Sequence, residues 1–525
     1  MFGQADRAQL AALGISEEEV ARQLHLFTKP PPAPMLDRPC TVGDGIASLG
    51  AAERQTALRA YHHAASAGRL LKFVPASGAA TRMFQALLAA RQRGVVTRAA
   101  LRARAAAGDG DSREVLTFAD NVSNFAFAEA LAGVLGRRGQ DIGALARRGE
   151  IGAVIDALLD AEGLNYAALP KGLLLFHRYP DGSRTALEEH LLEGAAYGRS
   201  AAGTARMHFT ISPEHDAACR VLLERVRERW EARGAMHLEV GFSHQKRSTD
   251  TLAVDLDDRP LRDASGRLVF RPGGHGALIE NLNDLRADII FIKTIDNIQP
   301  EHLRDPALEW LRVLTGHLVA VQDSLVAHRA VLAADRPRPE QIAAARDFAR
   351  TALGAAVDFD AGAPTLAAVL DRPLRVCGMV RNTGEPGGGP FWVRGPDGHC
   401  RRQIIEAAQV HRGDAAQWAT FTAATHFNPV FLACAVRDWR GSPFDLHRFV
   451  DQSAVFLARK SRDGREIKAL ERPGLWNGAM ADWHTLFVEL PDAAFTPVKT
   501  VNDLLRPSHQ PPASPARTVG AAMGD

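Results

Sequence analysis

The sequence predicts an α/β protein built on a parallel or mixed sheet with helices on both faces. Three observations carry that prediction. Short apolar runs alternate with stretches of helical periodicity from residue 71 onward. The run Ile289-Ile290-Phe291-Ile292 is β-branched or aromatic throughout, as a strand buried on both faces requires. Phe73-Val74-Pro75 passes through the small residues Ala76-Ser77-Gly78-Ala79-Ala80 into Thr81-Arg82 and a periodic stretch (Met83, Phe84, Leu87, Leu88), which reads as strand, tight loop and helix start.

Residues 1–65 form an N-terminal helical and extended arm. Ser16 before three glutamates marks a helix start, and Lys29-Pro30-Pro31-Pro32-Ala33-Pro34 breaks regular structure. Residues 66–360 are expected to be the α/β core, interrupted by an Ala- and Arg-rich helical insertion over about 85–165. Within it, Leu173 to Phe176, Met207 to Ile211 and His237 to Phe242 read as strands. Leu187 to Tyr197 and residues 215–233 read as helices. Residues 361–505 are β-richer and complete the core, and the Pro- and Ser-containing tail 506–525 is expected to be disordered.

The chain has 525 residues, 46% of them hydrophobic and 24% charged, with 63 Lys plus Arg against 61 Asp plus Glu. That balance gives no global reason to expect nucleic acid or an anionic membrane as partner, so any phosphate binding must be local. Five scattered cysteines without C-x-x-C spacing read as reduced thiols of a cytoplasmic protein. No apolar run is long enough to span a bilayer, and the N-terminus lacks the pattern of a signal peptide.

Six segments carry candidate chemistry. The loop Ala76-Ser77-Gly78-Ala79-Ala80-Thr81 lets a backbone approach phosphate, and Arg82 adds a forked cation. Lys171, between Pro170 and Gly172, is a surface charge by default and a phosphate clamp if phosphate is near. Gly274-His275-Gly276 suits a flat ligand or a plain glycine turn. Asp296, beyond the strand at 289–292, is either a helix cap or a metal ligand, in the region where open α/β sheets bind ligands. Glu385 opens a glycine-rich loop before Phe391-Trp392, and Lys499 sits in Phe495-Thr496-Pro497-Val498-Lys499-Thr500. There is no P-loop, no G-x-S-x-G elbow, no dinucleotide fingerprint and no H-E-x-x-H.

In order, these segments resemble the sugar-nucleotide pyrophosphorylases, especially the UDP-sugar branch. Val74 to Met83 resembles that branch's V/L-x-x-G-G-x-G-T-R/S-M. Pro170-Lys171-Gly172 resembles its P-K-G/S, and Gly274-His275-Gly276 its G-H-G. Phe291 to Ile298 resembles F-x-x-x-I-D-N-L, and Phe495 to Leu505 resembles F-x-P-V-K-T-x-x-D-L-L. The segments KFVPASGAATRMF, GGHGALIENLN and THFNPV are also similar to a bacterial family of unknown function placed beside these transferases. The sequence departs from the pyrophosphorylases at Ser77 and Ala80, where they use glycine, and at Ala277, where they carry an acid.

The resemblance implies a Rossmann-like glycosyltransferase-A-type sheet and in-line nucleotidyl transfer. A nucleoside triphosphate, UTP favoured, would join a sugar-1-phosphate-like acceptor and release pyrophosphate, with Mg2+ as cofactor held by Asp296. It assigns Arg82 and the backbone N–H groups of residues 77–81 to the β- and γ-phosphates, with Ala76 also counted as nucleotide-binding. Lys171 and Lys499 are assigned to the α-phosphate and acceptor phosphate, and Gln245 with Gly274, His275 and Gly276 to the base. Glu385, Glu406 and Asn428 are assigned to the acceptor. Two other readings remain at this stage. One is a glycosyltransferase using Asp255-Leu256-Asp257 as a metal motif, and the other is a nucleotide-binding protein without catalysis, suggested by Ser77 and Ala80.

Overall fold

The computed structural model describes residues 2–78, 80–384, 387–462 and 465–512. Its centre is a mixed sheet. In chain order the strands are β1 (Thr41–Val42), β2 (Gly45–Ala47), β3 (Leu70–Pro75), β4 (Thr204–Thr210), β5 (His237–Ser243), β6 (Ile289–Lys293), β7 (Leu374–Arg381), β8 (Phe431–Ala435) and β9 (His484–Glu489). In space they run β1-β2-β9-β7-β8-β6-β3-β4-β5, with the short strand His426–Phe427 added beside β7.

Strand β8 is antiparallel to both its neighbours, and the other pairings along this path are parallel. The consequence is positional. The carboxyl ends of β3, β4, β5, β6, β7 and β9 all emerge on one edge, where an open α/β sheet collects its ligands. The register places Ile292 of β6 opposite Phe73 of β3, so the loops after Pro75 and Lys293 leave side by side.

The helices that flank the sheet include α1 (Ala51–Ser66), α2 (Ala186–Gly198), α3 (Asp216–Gly234) and α4 (Asp305–Leu332). Helices α1 and α4 approach closely because Gly316 of α4 has no side chain: a Cβ there would lie 1.7 Å from the Ala57 carbonyl oxygen. The expected insertion is helical, with segments from Gln85–Gln92 through Ile151–Leu159. Its apolar faces share one core with Val74, Ala76 and Ala80 of the loop and with Val498, Val501 and Leu504 near the C-terminus.

Some boundaries differ from the sequence reading. The N-terminal helix is two helices, Gln4–Leu13 and Glu17–Thr28, because Gly14 adopts φ 71° and ends the first in a left-handed cap. The run expected as a core strand near 173–176 instead opens a hairpin, Leu175–Tyr179 with Gly182–Thr185, outside the central sheet. The β-rich half contributes β7, β8 and β9 to the central sheet itself. The tail does not loosen at 506: Pro507–His509 forms a turn with His509 buried, and the rest of that tail from 513 lies outside the described residues.

Candidate active site

The loop after β3 is packed on one side and open on the other. Ala76 N–H donates to the Thr210 carbonyl at 2.8 Å, and Ala80 N–H donates to Leu169 at 3.3 Å. The amide of Ala80, expected to hold phosphate, is therefore spent within the protein, as is that of Ala76. The Ser77 carbonyl accepts from the Ser212 hydroxyl at 3.0 Å. Gly78 is exposed, and a Cβ there would meet nothing within 4 Å. Thr81 and Arg82 are exposed on the turn Ala80–Phe84. Ala79 lies outside the described residues.

Beyond β6 the chain turns through Thr294 to Asp296, and the segment 495–499 crosses it. Asn297 Oδ1 accepts from Thr496 N–H at 3.2 Å, and the Asp296 carbonyl accepts from Val498 N–H at 2.9 Å. That crossing delivers Lys499, whose Nζ lies 3.0 Å from Asp296 Oδ2. Lys171 arrives from the opposite side on the turn Lys171–Leu173, and its Nζ also lies 3.0 Å from the same oxygen. A further Lys171 proton goes to the Val498 carbonyl at 2.7 Å. Three segments distant in sequence thus meet at one carboxylate beside the small-residue loop.

The electrostatics follow from burial. Burial alone would raise the Asp296 pKa, but the two ammonium groups outweigh it and hold the carboxyl well below the usual carboxylate range. Burial lowers the Lys171 pKa, Asp296 opposes that, and the positive charges of Lys499 and Arg82 add to the lowering. The Lys499 side chain is 49% exposed while those of Lys171 and Asp296 are each 12% exposed. One cation therefore faces solvent while the other is fixed inside.

Sequence reasoning missed a second charged cluster directly behind. Glu193 of α2 binds Lys72 of β3 at 2.8 Å through Oε1 and Lys293 of β6 at 2.6 Å through Oε2, with all three side chains at most 1% exposed. Lys72 also donates to the His190 carbonyl at 3.0 Å, and His190 Nε2 contacts the Ile295 carbonyl at 3.2 Å. Burial lowers the Lys72 pKa to about 8. The signal was present: a lysine inside Leu70-Leu71-Lys72-Phe73-Val74 and another closing Ile289–Lys293 interrupt otherwise apolar strands and demand a buried partner.

The other expected residues divide. His275 stacks on Trp476 with ring centroids 4.1 Å apart, and its Nδ1 accepts from Leu475 N–H at 3.1 Å. Glu406 accepts from the Trp476 indole at 3.2 Å and lies 3.8 Å from His275 Nε2. A base-side and an acceptor-side candidate thus share one aromatic platform. The flanking glycines serve the protein's own packing: a Cβ on Gly276 would lie 2.1 Å from the Pro473 carbonyl, and Gly274 adopts φ 76° against Glu471.

Gln245, beyond β5, has a buried Nε2 with no partner among the described residues. Asn428 is consumed structurally, donating to the Gly378 carbonyl at 3.0 Å and accepting from Val430 N–H at 3.1 Å, which leaves its amide little to offer an acceptor. Glu385 lies outside the described residues. Asp255-Leu256-Asp257 is a turn, with Asp255 Oδ1 accepting from the amides of Asp257 and Arg259 at 2.9 Å each.

Asp296 Oδ2 is shared by two ammonium groups, and Oδ1 accepts from the Thr294 hydroxyl at 2.9 Å. No group of three His, Cys, Asp or Glu side chains suited to a metal occurs among the described residues. As arranged, this donor set does not fit a dication, because two positive charges already occupy its one carboxylate. Asp296 is not a helix cap either, since irregular chain follows it to Pro300.

A family model described as "Domain of unknown function (DUF4301)" matches residues 3–510. No curated protein matches the sequence. Among solved structures, the chain is similar to UDP-glucose pyrophosphorylase from Leishmania major in complex with UDP-glucose, at 14% identity and a TM-score of 0.43, over 96% of this chain and 79% of that one. It is also similar to the uridine diphosphate N-acetylglucosamine pyrophosphorylase of Trypanosoma brucei, at 13% identity and a TM-score of 0.47, over 96% and 79%. Among the described residues no helix is long and apolar enough to cross a membrane.

Proposed function

The chain belongs to the family described as a domain of unknown function (DUF4301), and we propose that it is a nucleotidyltransferase. It joins a nucleoside triphosphate, UTP first, to a sugar-1-phosphate-like acceptor and releases pyrophosphate. The observation that carries this reading is the convergence of Lys171 and Lys499 on buried Asp296, beside the loop after β3 at the carboxyl edge of the sheet. Two lysines held a few ångströms apart by one carboxylate suit a pair of phosphates. The order of the five sequence motifs gives independent support.

In this reaction an acceptor phosphate oxygen forms a bond to the α-phosphorus while the bond from that phosphorus to the bridging oxygen breaks. Pyrophosphate leaves with that electron pair, and no protein nucleophile is needed. Lys171 and Lys499 neutralise the α-phosphate and the acceptor phosphate, and Arg82 takes charge on the leaving phosphates. Asp296 orients both ammonium groups before substrate arrives. Gln245, in the loop beyond β5, together with Gly274 to Gly276 is assigned to the base. No step is routed through a protein-bound metal.

The test is pyrophosphate release from purified full-length protein, with nucleoside triphosphates as magnesium salts against a panel of sugar-1-phosphates. Asp296→Ala and Lys499→Ala should each abolish release while keeping the wild-type circular dichroism spectrum. Full activity in both variants sinks the assignment. Sugar transfer from a UDP-sugar without pyrophosphate turnover would instead favour a glycosyltransferase, and nucleotide binding without turnover on any acceptor a protein lacking catalysis.

A further inference from the structure

A cavity of about 420 Å³ opens between α1, α2, the C-terminal end of α3 and the start of α4. Its polar wall holds four arginines, Arg199, Arg233, Arg304 and Arg312, against one carboxylate, Glu301. Glu301 is already claimed: Arg184 contacts it at 2.9 Å from outside the cavity, Arg233 at 3.5 Å and Arg304 at 3.8 Å. Arg199 and Arg312 rest on neutral groups, the carbonyls of Gly234 at 2.8 Å and Ala196 at 2.9 Å. Arg312 Nε is buried with no partner, and its guanidinium lies 5.9 Å from the Tyr61 ring centre.

The rest of the lining includes the apolar Leu192, Ala195 and Met236, and Trp230, whose ring centre lies 5.2 Å from the Arg233 guanidinium. A concave space of this size, lined by apolar side chains and by guanidiniums in excess of carboxylate, has the composition of a ligand site. Four guanidiniums with a single shared carboxylate among them raise the free energy of the empty cavity, and an anion with several oxygens relieves it through forked hydrogen bonds. None of these arginines belongs to the Lys171–Asp296–Lys499 cluster.

We propose that this cavity binds a small multiply anionic molecule, a phosphorylated compound carrying at least two negative charges, at a site separate from the candidate active site. The probe is inorganic tripolyphosphate, titrated by calorimetry into the wild type, into Arg82→Ala/Lys499→Ala and into two cavity variants that carry Arg199→Ala or Arg233→Glu in addition to Arg82→Ala/Lys499→Ala. Both cavity positions are solvent-exposed, so folding is expected to survive, and circular dichroism checks it. The expected result is binding that persists in Arg82→Ala/Lys499→Ala and weakens at least tenfold in each cavity variant. Wild-type affinity in both cavity variants, or no binding in the wild type, overturns the proposal. Complete loss of binding in Arg82→Ala/Lys499→Ala also overturns it, by tracing the anion to the other site.

Discussion

Replacing Glu193 with glutamine removes the carboxylate shared by two buried ammonium groups while keeping the side chain's shape. In the wild type Lys72 and Lys293 share that carboxylate at 2.8 and 2.6 Å. Removing one partner of a buried ion pair typically costs about 3–5 kcal/mol, because the remaining charge is left uncompensated. A ceiling per lysine comes from proton release. Neutralising a lysine of ordinary value 10.5 at pH 7 costs about 5 kcal/mol, at about 1.4 kcal/mol per pH unit. At pH 9 the same neutralisation costs only about 2 kcal/mol. The sign is fixed by which state holds the proton. In the variant the folded-state lysine value is depressed, so the unfolded chain binds more protons and stability rises with pH until the unfolded lysine titrates. Urea unfolding followed by circular dichroism at pH 7 and pH 9 should show Glu193→Gln losing about 3–5 kcal/mol at pH 7 and about half of that at pH 9. Lys72→Met leaves a balanced pair and should cost much less. A Glu193→Gln loss below about 1 kcal/mol, or one equal at both pH values, refutes the account of a carboxylate neutralising two buried cations.

Other consequences are open to measurement. Gly316→Ala places a methyl 1.7 Å from the Ala57 carbonyl and should destabilise by at least about 1–3 kcal/mol as α4 is pushed off α1; an unchanged melting temperature would contradict the close approach. Gly276→Ala meets the Pro473 carbonyl at 2.1 Å and should loosen the Trp476–His275 stack, read as a shift in tryptophan emission. Burial lowers the histidines at 275 and 484 to about 4 and at 509 to about 3. Their contribution to stability is complete above the ordinary value of 6.5 and declines as pH falls from there toward 4, where the unfolded chain takes protons the folded one refuses. Urea midpoints should therefore fall steadily across that window, and His509→Phe should flatten the fall; a flat wild-type profile would remove these rings from the explanation.

The sheet was legible because β6 and β3 are apolar enough to be strands on composition alone, and because ligand loops follow strand ends. The meeting of Lys171, Asp296 and Lys499 was legible only as motif order. No spacing rule relates residues 171, 296 and 499, and their proximity is set by the crossing of 495–499 over 296–297. The partners of Asp296 were not legible for the same reason: a carboxylate at a strand end has one sequence signature whether it meets a metal, a helix amide or two lysines. Gly276 was read as room for a ligand, but a glycine facing a ligand and one facing a proline carbonyl are identical on paper. Asn428 faces the same difficulty, since its two backbone partners lie on β7 and at Val430.

The crossing of 495–499 over the β6 exit has a consequence in time. The loop after β3 and both Lys171 and Asp296 are synthesised long before Lys499 leaves the ribosome. Val498, Val501 and Leu504 also complete the core that holds the helical insertion against that loop. A nascent or prematurely terminated chain ending near β9 therefore lacks both the exposed lysine and the apolar wedge that seats it. Assembly of the Lys171–Asp296–Lys499 corner therefore waits on a segment made 203 residues after Asp296, and the Lys171–Asp296 pair alone precedes it.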